Sequence, residues 1–153
     1  MSDSPSRFGL DDHLCFAVYA AAHAFNRVYK PLLDRLGLTY PQYLAMLVLW
    51  ETDDQTVKAI GERLTLDSGT LTPLLKRLEA RGLVTRRRDP ADERSVRIGL
   101  TDTARALQHE AKAVPLAIGC AVDLPWAEAV RLRQDLVRLK ASLDQAAEAA
   151  VTP

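Results

Sequence analysis

The spacing of apolar residues changes once in this chain, at Gly82, and this change constrains the fold more than any other feature. Before Gly82, leucines recur at the three- and four-residue intervals of a helix that buries one face: Leu71, Leu74, Leu75 and Leu78. After it, apolar residues alternate with Arg97 and Gly99, which is the two-residue period of a half-buried strand: Val96, Ile98 and Leu100. The sequence therefore predicts a helix followed by a hairpin, with strands at 83–88 and 94–100 and a turn at 89–92.

Two further helices are predicted ahead of this unit. Thr39 and Gln42 have the spacing of a capping box and begin one helix, and residues 56–64 form a second, short amphipathic one. Asp67 is placed to cap the leucine-rich helix that follows. Pro73 lies inside that helix, so either the helix is distorted there or it begins at Thr72, and the sequence leaves both readings open.

The flanking regions are also predicted to be helical. Asp11 and Asp12 would cap a first helix, which Lys30-Pro31 would interrupt. Thr101 would cap a fifth helix that passes through Pro115, and a last helix would follow Pro125. Two short helices, a tight connection and a hairpin are the parts of a winged helix-turn-helix. The predicted class is α+β, mainly α.

Charge is unevenly distributed along the chain. The whole sequence has 153 residues and a net charge of 0, yet residues 76–97 contain eight basic and four acidic residues, a net charge of +4. Such a concentration is the electrostatic footprint expected of a nucleic-acid-binding segment, although a solvated face gives the same signal. Hydrophobic residues make up 48% of the chain, without a membrane-length run or a signal peptide, so we expect a cytoplasmic protein with no membrane contact.

The face opposite the leucines is suited to DNA. It presents small or hydroxylated residues first and cations afterwards: Gly69, Thr72, Pro73, Lys76 and Arg77. Small residues let the backbone approach base edges, and cations meet phosphates. Arg94, at the tip of the predicted hairpin, is long enough to enter a minor groove. The alternative is a small helical domain with an ordinary surface hairpin.

Cys15 is the residue of this sequence most suited to a chemical reaction, because it carries a thiol. It falls near the start of the first predicted helix, and a helix N-terminus favours the thiolate over the thiol. A lone cysteine on an apolar helix is otherwise a packing residue, as Cys120 also would be. The three histidines and two cysteines lack zinc-site spacing, and no cofactor-binding motif is present, so neither a metal nor a cofactor is expected.

The residues of the hairpin resemble those of a known family. Residues 92–96 (DERSV), placed after residues 82–86 (GLVTR), are similar to the wing of the MarR family of bacterial repressors. This resemblance implies a homodimer that binds a pseudo-palindromic operator in double-stranded DNA. By matching position, it implies that these residues face DNA: Asp67, Ser68, Thr70, Thr72, Lys76, Arg77, Arg86, Asp92 and Arg94. Asp92 would brace Arg94, because its charge has the wrong sign for phosphate.

Residues 66–77 (LDSGTLTPLLKR) further resemble one branch of that family, the organic hydroperoxide resistance regulators, as do 14–19, 29–34 and 39–44. The resemblance covers about residues 10–143. It implies that a hydroperoxide oxidises Cys15, that Tyr29 and Tyr40 hydrogen-bond its sulfur, and that Cys120 of the other subunit resolves the product to a disulfide. Some members of the branch use a small external thiol instead.

The resemblance also implies one winged-helix domain over residues 1–153, with dimerisation helices at about 10–36 and 102–149 and the DNA-binding part at about 39–100. Three other functions remain open from sequence. A repressor of this fold could sense a phenolic ligand, the two cysteines could serve a thiol peroxidase, or the protein could coat DNA without sequence preference.

Overall fold

The computed structural model of the chain describes residues 9–151. Within that range, seven helices and three short strands follow a 3₁₀ turn at Leu10–Asp12. The elements are α1 (Leu14–Leu36), α2 (Tyr40–Glu51), β1 (Gln55–Thr56), α3 (Val57–Leu64), α4 (Ser68–Ala80), β2 (Val84–Arg88), β3 (Val96–Leu100), α5 (Asp102–Ala111), α6 (Ala113–Val122) and α7 (Trp126–Val151). This mainly helical chain with one small sheet confirms the predicted fold class.

The core lies between α2, α3, α4 and the sheet. Leu49 of α2, Ile60 of α3 and Ile98 of β3 are each 0% exposed. The predicted leucine stripe of α4 is buried along its length, with Leu71, Leu75 and Leu78 at 0% and Leu74 at 6%. Because burying one leucine contributes about 1.5–3 kcal/mol, this stripe fixes α4 against its neighbours and leaves its other face to solvent.

The sheet has three antiparallel strands in the order β1-β3-β2. The predicted hairpin forms β2 and β3, with Arg86 opposite Ile98 and Arg87 opposite Arg97. The third strand, β1, was not predicted; it pairs Gln55 with Ile98 and Thr56 with Arg97. Two polar residues carry no period-2 signal, so only the pairing reveals this strand.

The predicted start and interruption of the first helix are both wrong. His13, not Asp11 or Asp12, occupies the N-cap position of α1, and it makes no side-chain capping bond. The helix also continues past Pro31 to Leu36 and ends at Gly37, whose φ is 64°. An interior proline costs about 3 kcal/mol. The burial of Leu33 and Leu36 beyond it, at 2% and 7% exposed, offsets that cost.

Two other prolines affect helix boundaries. The sequence left one of these boundaries open and predicted the other wrongly. The leucine-rich helix begins at Ser68, so Pro73 lies within α4 and the alternative start at Thr72 is wrong. The predicted fifth helix is in fact two helices, α5 and α6, separated at Lys112. The ring of a proline clashes with the carbonyl four residues earlier, and the residue four before Pro115 is Ala111, the last of α5.

The chain divides into two units between Ile118 and Gly119. The first contains the winged helix-turn-helix, the sheet and α1. The second consists mainly of α7, a 26-residue helix whose leucines at positions 132, 136 and 143 are 44–60% exposed. Those leucines share one face at helical spacing, and nothing in the described part of this unit covers them.

Candidate nucleic-acid interface and cysteine site

The connection between α3 and α4 is tight and depends on Gly61. Thr65 adopts a left-handed φ of 54°, and the Leu66 N–H donates to the Gly61 carbonyl at 3.0 Å. A Cβ at Gly61 would lie 2.8 Å from the Leu66 carbonyl oxygen, closer than a real Cβ approaches. Glycine therefore lets the two helices meet at the angle of a helix-turn-helix. Sequence reasoning missed this residue, whose signal is a glycine inside an otherwise amphipathic helix.

Asp67 begins α4 as predicted. Its Oδ1 accepts the Thr70 backbone N–H at 2.9 Å, and its Oδ2 accepts the Thr70 hydroxyl at 3.1 Å. These hydrogen bonds from Thr70 lower the pKa of Asp67 below its usual range. Both side chains are thus engaged with each other, while Ser68 and Gly69 remain exposed at the positive end of the helix.

The basic residues of segment 76–97 fall into two groups. Five of the eight have acidic or carbonyl partners: Arg81 (Gly37 carbonyl), Arg86 (Glu79), Arg87 (Asp54), Arg88 (Glu93 carbonyl) and Arg97 (Asp54 and Asp89). The side chains of Lys76, Arg77 and Arg94 have no partner among the described residues. These three are exposed, and all belong to the set that the resemblance assigns to DNA.

A groove of about 720 Å³ runs between α3, α4 and the hairpin. Among the residues predicted to face DNA, Asp67, Ser68, Thr72, Arg86 and Arg94 line it. The exposed Thr70, Lys76 and Arg77 lie on α4 outside its lining, as does Asp92 in the hairpin turn. The predicted set is thus divided between the groove and the surface beside it.

Two of the predicted residues have structural partners of their own. Arg86 lies 3.5 Å from Glu79 with its side chain 22% exposed, so much of its charge is compensated. Asp92 accepts the Arg94 backbone N–H at 3.0 Å and the Ser95 hydroxyl at 2.9 Å. Asp92 therefore holds the main chain of the turn and leaves the Arg94 side chain free.

Cys15 is the second residue of α1 and its side chain is exposed. Its position in the first helical turn confirms the sequence prediction. Phe16 stacks near Tyr19 with ring centroids 6.3 Å apart, and Tyr19 lies 4.3 Å from the His23 ring. The thiol is therefore accessible at the positive end of a helix and beside an aromatic surface.

Tyr29, in the second half of α1, and Tyr40, the first residue of α2, lie together. Their ring centroids are 4.7 Å apart, and Tyr43 lies 5.9 Å from Tyr29. Burial, together with the neighbouring phenols, raises the pKa of Tyr29 to about 12, and burial also raises the pKa of Tyr40. Both hydroxyls therefore keep their protons at neutral pH and can donate hydrogen bonds.

One chain does not bring this tyrosine pair to Cys15. Fourteen residues of the unbroken helix α1 separate Cys15 from Tyr29, a distance of about 21 Å at 1.5 Å per residue. A tyrosine side chain is too short to span it. Cys120 is also exposed and lies in the second unit of the chain.

Other kinds of site find no support in the part of the chain that is described. Residues 9–151 contain no group of three or more side chains able to hold a metal ion. Over the same range, no single helix is long and apolar enough to cross a membrane, although one bent pair of helical segments passes on length and composition alone.

A helix-turn-helix, a wing and three unpaired cations on one surface define a class: this is a winged-helix DNA-binding transcription regulator. Comparison with known proteins agrees. Residues 27–111 match the sequence model of the transcriptional regulator SarA/Rot family.

Three relatives illustrate the match. The HTH-type transcriptional regulator TtmR of Methylorubrum extorquens is 54% identical over 88% of this chain and 69% of its own length. The organic hydroperoxide resistance transcriptional regulator of Bacillus subtilis is 55% identical over 69% of this chain and 72% of its own. AbfR of Staphylococcus epidermidis, solved reduced and bound to DNA, is 39% identical over 90% of this chain and 94% of its own, with a TM-score of 0.75.

The chain therefore belongs to the SarA/Rot and MarR-type family of transcriptional regulators. This confirms the resemblance that was based on the wing (residues 82–86 and 92–96) and on residues 66–77. It also decides against the thiol peroxidase alternative, because these relatives are DNA-binding regulators and not enzymes.

AbfR has been solved in other states as well. A structure of overoxidised AbfR bound to DNA has a TM-score of 0.73 at 40% identity, with 88% of this chain and 94% of that chain covered. A structure of disulfide-formed AbfR has a TM-score of 0.62 at 42% identity, with 85% and 91% covered. The TM-score is thus higher for the two DNA-bound structures than for the disulfide structure.

Proposed function

We propose that this regulator is a redox-switched repressor, which binds a pseudo-palindromic operator while reduced and releases it when an organic hydroperoxide oxidises Cys15. The observation that carries the proposal is the exposed Cys15 thiol in the first turn of α1. An accessible cysteine can meet a peroxide, which its thiolate form attacks. The named function of the Bacillus relative, at 55% identity, supports the same effector class. Binding to chromosomal DNA would place the protein in the cytoplasm.

DNA would meet the surface of α4 and the wing. Ser68, Thr70 and Thr72 lie at the start of α4, where they would approach base edges, and Lys76 and Arg77 would contact phosphates. Arg94 would enter the minor groove, with Asp92 holding its main chain. Asp67 would act by capping α4, and Arg86 would support the groove beside Glu79.

A homodimer would complete the cysteine site. Because one chain keeps Cys15 about 21 Å from Tyr29, hydrogen bonds from Tyr29 and Tyr40 to the sulfur require a second copy of the chain. The apolar residues exposed on one face of α1 give that copy a surface to cover: Leu14 (63%), Val18 (39%), Phe25 (44%) and Val28 (38%). Leucines on α7 offer a second such surface.

The chemistry needs one equivalent of hydroperoxide. The Cys15 thiolate attacks the peroxide, the O–O bond breaks, and the sulfur becomes a sulfenic acid while the peroxide leaves as an alcohol. The Cys120 thiol of the other subunit then attacks that sulfur, which forms a disulfide and releases water. Apolar side chains around Cys15 favour peroxides with a hydrophobic tail.

We further propose that the disulfide, and not the oxidised sulfur alone, is the state that releases DNA. Overoxidised AbfR is bound to DNA, so an oxidised sulfur is compatible with binding in that relative. A disulfide between subunits would instead constrain the helices that position α4 and the wing of each subunit. Changing the ratio of the binding-competent conformation to the incompetent one from 99:1 to 1:99 requires about 5.5 kcal/mol. A covalent constraint can supply this free energy.

The test begins with a duplex chosen by the reduced protein from a random-sequence library, called the selected duplex below. Cumene hydroperoxide, without added thiol, should release this duplex from the wild type in a gel-shift assay. Cys15→Ser should bind the duplex and stay bound to it when the peroxide is added. Release that persists in Cys15→Ser excludes Cys15 as the sensor and favours a ligand-sensing repressor of the same fold.

The resolving role of Cys120 has its own readout. On a non-reducing gel, peroxide should convert the wild type to a cross-linked dimer, whereas Cys120→Ser should remain uncross-linked and stay on the duplex. A cross-linked dimer in Cys120→Ser would show that Cys120 is not the resolving thiol. Release without a cross-link would show that the sulfenic acid is sufficient.

A further inference from the structure

Two arginines of the wing are directly opposite each other. Arg87 of β2 and Arg97 of β3 are cross-strand partners, and like charges at such a position destabilise a hairpin. Their face of the sheet is opposite to that of Ile98, which is buried. The pair therefore lies on the outer face of the wing, and Arg94 lies in the hairpin turn that precedes β3.

Asp54 lies between these two arginines. Its Oδ2 is 2.7 Å from Arg87 Nη2 and 3.1 Å from Arg97 Nε, and the Asp54 carbonyl accepts a further bond from Arg97. Asp89 approaches Arg97 from the hairpin turn at 3.0 Å. Two carboxylates thus neutralise two guanidinium groups, while the Arg94 side chain in the same wing has no partner in the described part of the chain.

The backbone holds Asp54 in this position. Its φ is 58°, a left-handed conformation that aspartate and asparagine adopt more readily than other non-glycine residues. The adjacent Asp53 fixes the same loop, since its Oδ1 accepts the backbone N–H groups of Asp54 at 2.7 Å and Leu100 at 2.8 Å. The hydrogen bond from Arg97 lowers the pKa of Asp54, so its negative charge persists at neutral pH.

We propose that Asp54 is a specificity-determining residue, which neutralises Arg87 and Arg97 and so limits the contacts of the wing with DNA phosphates. Phosphate contacts add affinity for any sequence, whereas Ser68, Thr72 and Arg94 lie where base edges and groove width are read. Two unpaired arginines beside Arg94 would raise the affinity for random DNA more than the affinity for the operator. The proposal rests on the proposed DNA binding but not on the redox switch, because it concerns the reduced protein alone.

The test measures binding of the reduced protein to the selected duplex and to a random-sequence duplex of equal length, over a series of salt concentrations. In Asp54→Asn, which keeps the left-handed backbone, we expect binding to random duplex about tenfold tighter at 50 mM salt. The plot of log K against log salt should become steeper by about 1–2, since each new phosphate contact adds about 0.9. The ratio of selected to random affinity should fall accordingly.

Two controls separate neutralisation from loss of structure. Asp144→Asn removes an equal charge from an i,i+4 pair on α7 and should leave the salt dependence unchanged. Asp54→Asn combined with Arg87→Gln should reverse part of the increase. Weaker binding of Asp54→Asn to both duplexes, with an unaltered salt dependence, would overturn the proposal and assign Asp54 a purely structural role.

A second set of variants tests the proposal even if the Asp54→Asn protein does not fold. If Arg87 is neutralised in the wild type, Arg87→Gln alone should change random-duplex affinity less than twofold, whereas Lys76→Gln, at a position proposed to contact phosphate, should make the salt plot shallower by about 1. Equal losses in the two variants would show that Arg87 already contacts phosphate and would overturn the proposal. Absence of duplex binding by the reduced wild type would overturn both this proposal and the proposed function.

Discussion

At the scale of single residues, ion pairs and hydrogen bonds within the chain decide which cationic side chains of segment 76–97 are available to a partner outside it. Segment 76–97 has eight basic residues, but the ion pairs and carbonyl contacts leave only Lys76, Arg77 and Arg94 without a partner in the described structure. The sequence places a positive charge in this segment correctly. It does not reveal that Asp54, more than twenty residues earlier, compensates part of that charge.

Gly61 is the residue on which the helix-turn-helix angle depends most directly. Gly61→Ala should lower the free energy of unfolding by about 1–3 kcal/mol, because the new Cβ meets the Leu66 carbonyl. Urea denaturation measures this change. Gly119→Ala is the matched control, since its Cβ would meet nothing within 4 Å and the substitution should favour α6 by up to about 1 kcal/mol. Equal effects of the two variants would contradict the assigned role of Gly61.

Tyr29 makes the stability of the protein depend on pH in the alkaline range. Its pKa of about 12 in the folded state exceeds the ordinary value of 10.0, so the folded state favours the protonated phenol. The resulting stabilisation is complete below pH 10 and is lost as the pH rises towards 12. Tyr29→Phe should therefore show a smaller loss of unfolding free energy between pH 10 and 12 than the wild type. Parallel curves for the two proteins would show that Tyr29 does not titrate with folding.

At the scale of elements, helix starts were predictable where a side chain caps the first turn. Thr39, Asp67 and Thr101 each accept a backbone N–H three residues ahead, as their sequence context indicates. Thr56 does the same for α3, although it was predicted as the first residue of that helix. The start of α1 was missed because its N-cap residue, His13, makes no capping bond. Prolines were the other source of error, since local rules cannot weigh the cost of Pro31 against the burial of Leu33 and Leu36.

Substitution of Pro73 would measure the free-energy cost of a proline inside a helix directly. Within α4 it has no N–H to donate to the carbonyl of Gly69, one helical turn earlier. Pro73→Ala restores that donor and should raise the free energy of unfolding by about 1–2 kcal/mol, after allowance for the greater freedom of the unfolded chain. Urea denaturation at pH 7 would show this as a higher midpoint. A lower midpoint would mean that the proline matches the local geometry of α4.

At the scale of the whole molecule, the predicted cysteine site exists only if two chains associate. The grouping of Cys15 with Tyr29 and Tyr40 stays a prediction, because Cys15 and Tyr29 lie about 21 Å apart on the same unbroken stretch of α1. One copy presents an exposed thiol in the first turn of α1 and protonated phenols where the second half of α1 meets the start of α2. The pairing of Cys15 with Cys120 remains a proposal of the same kind, because it also requires a second subunit.

Dimerisation through α7 has a simple test. Light scattering should give a mass of twice 16.9 kDa for the reduced wild type. Leu136→Glu, on the exposed leucine face of α7, should shift the protein to the monomer mass, because burying an unpaired carboxylate is costly. Arg133→Glu, an exposed polar position on the same helix, should remain dimeric. A dimeric Leu136→Glu would exclude this face as the interface.

The central claim is that the redox state of one sulfur sets the affinity for DNA, and the most direct measurement is the dissociation constant of the selected duplex for both redox forms of one preparation. Fluorescence anisotropy should show binding at least about 100-fold weaker after one equivalent of cumene hydroperoxide, which corresponds to about 2.7 kcal/mol. Dithiothreitol should restore the original constant. Equal constants before and after oxidation, with Cys15 shown by mass spectrometry to be in the disulfide, would contradict the account.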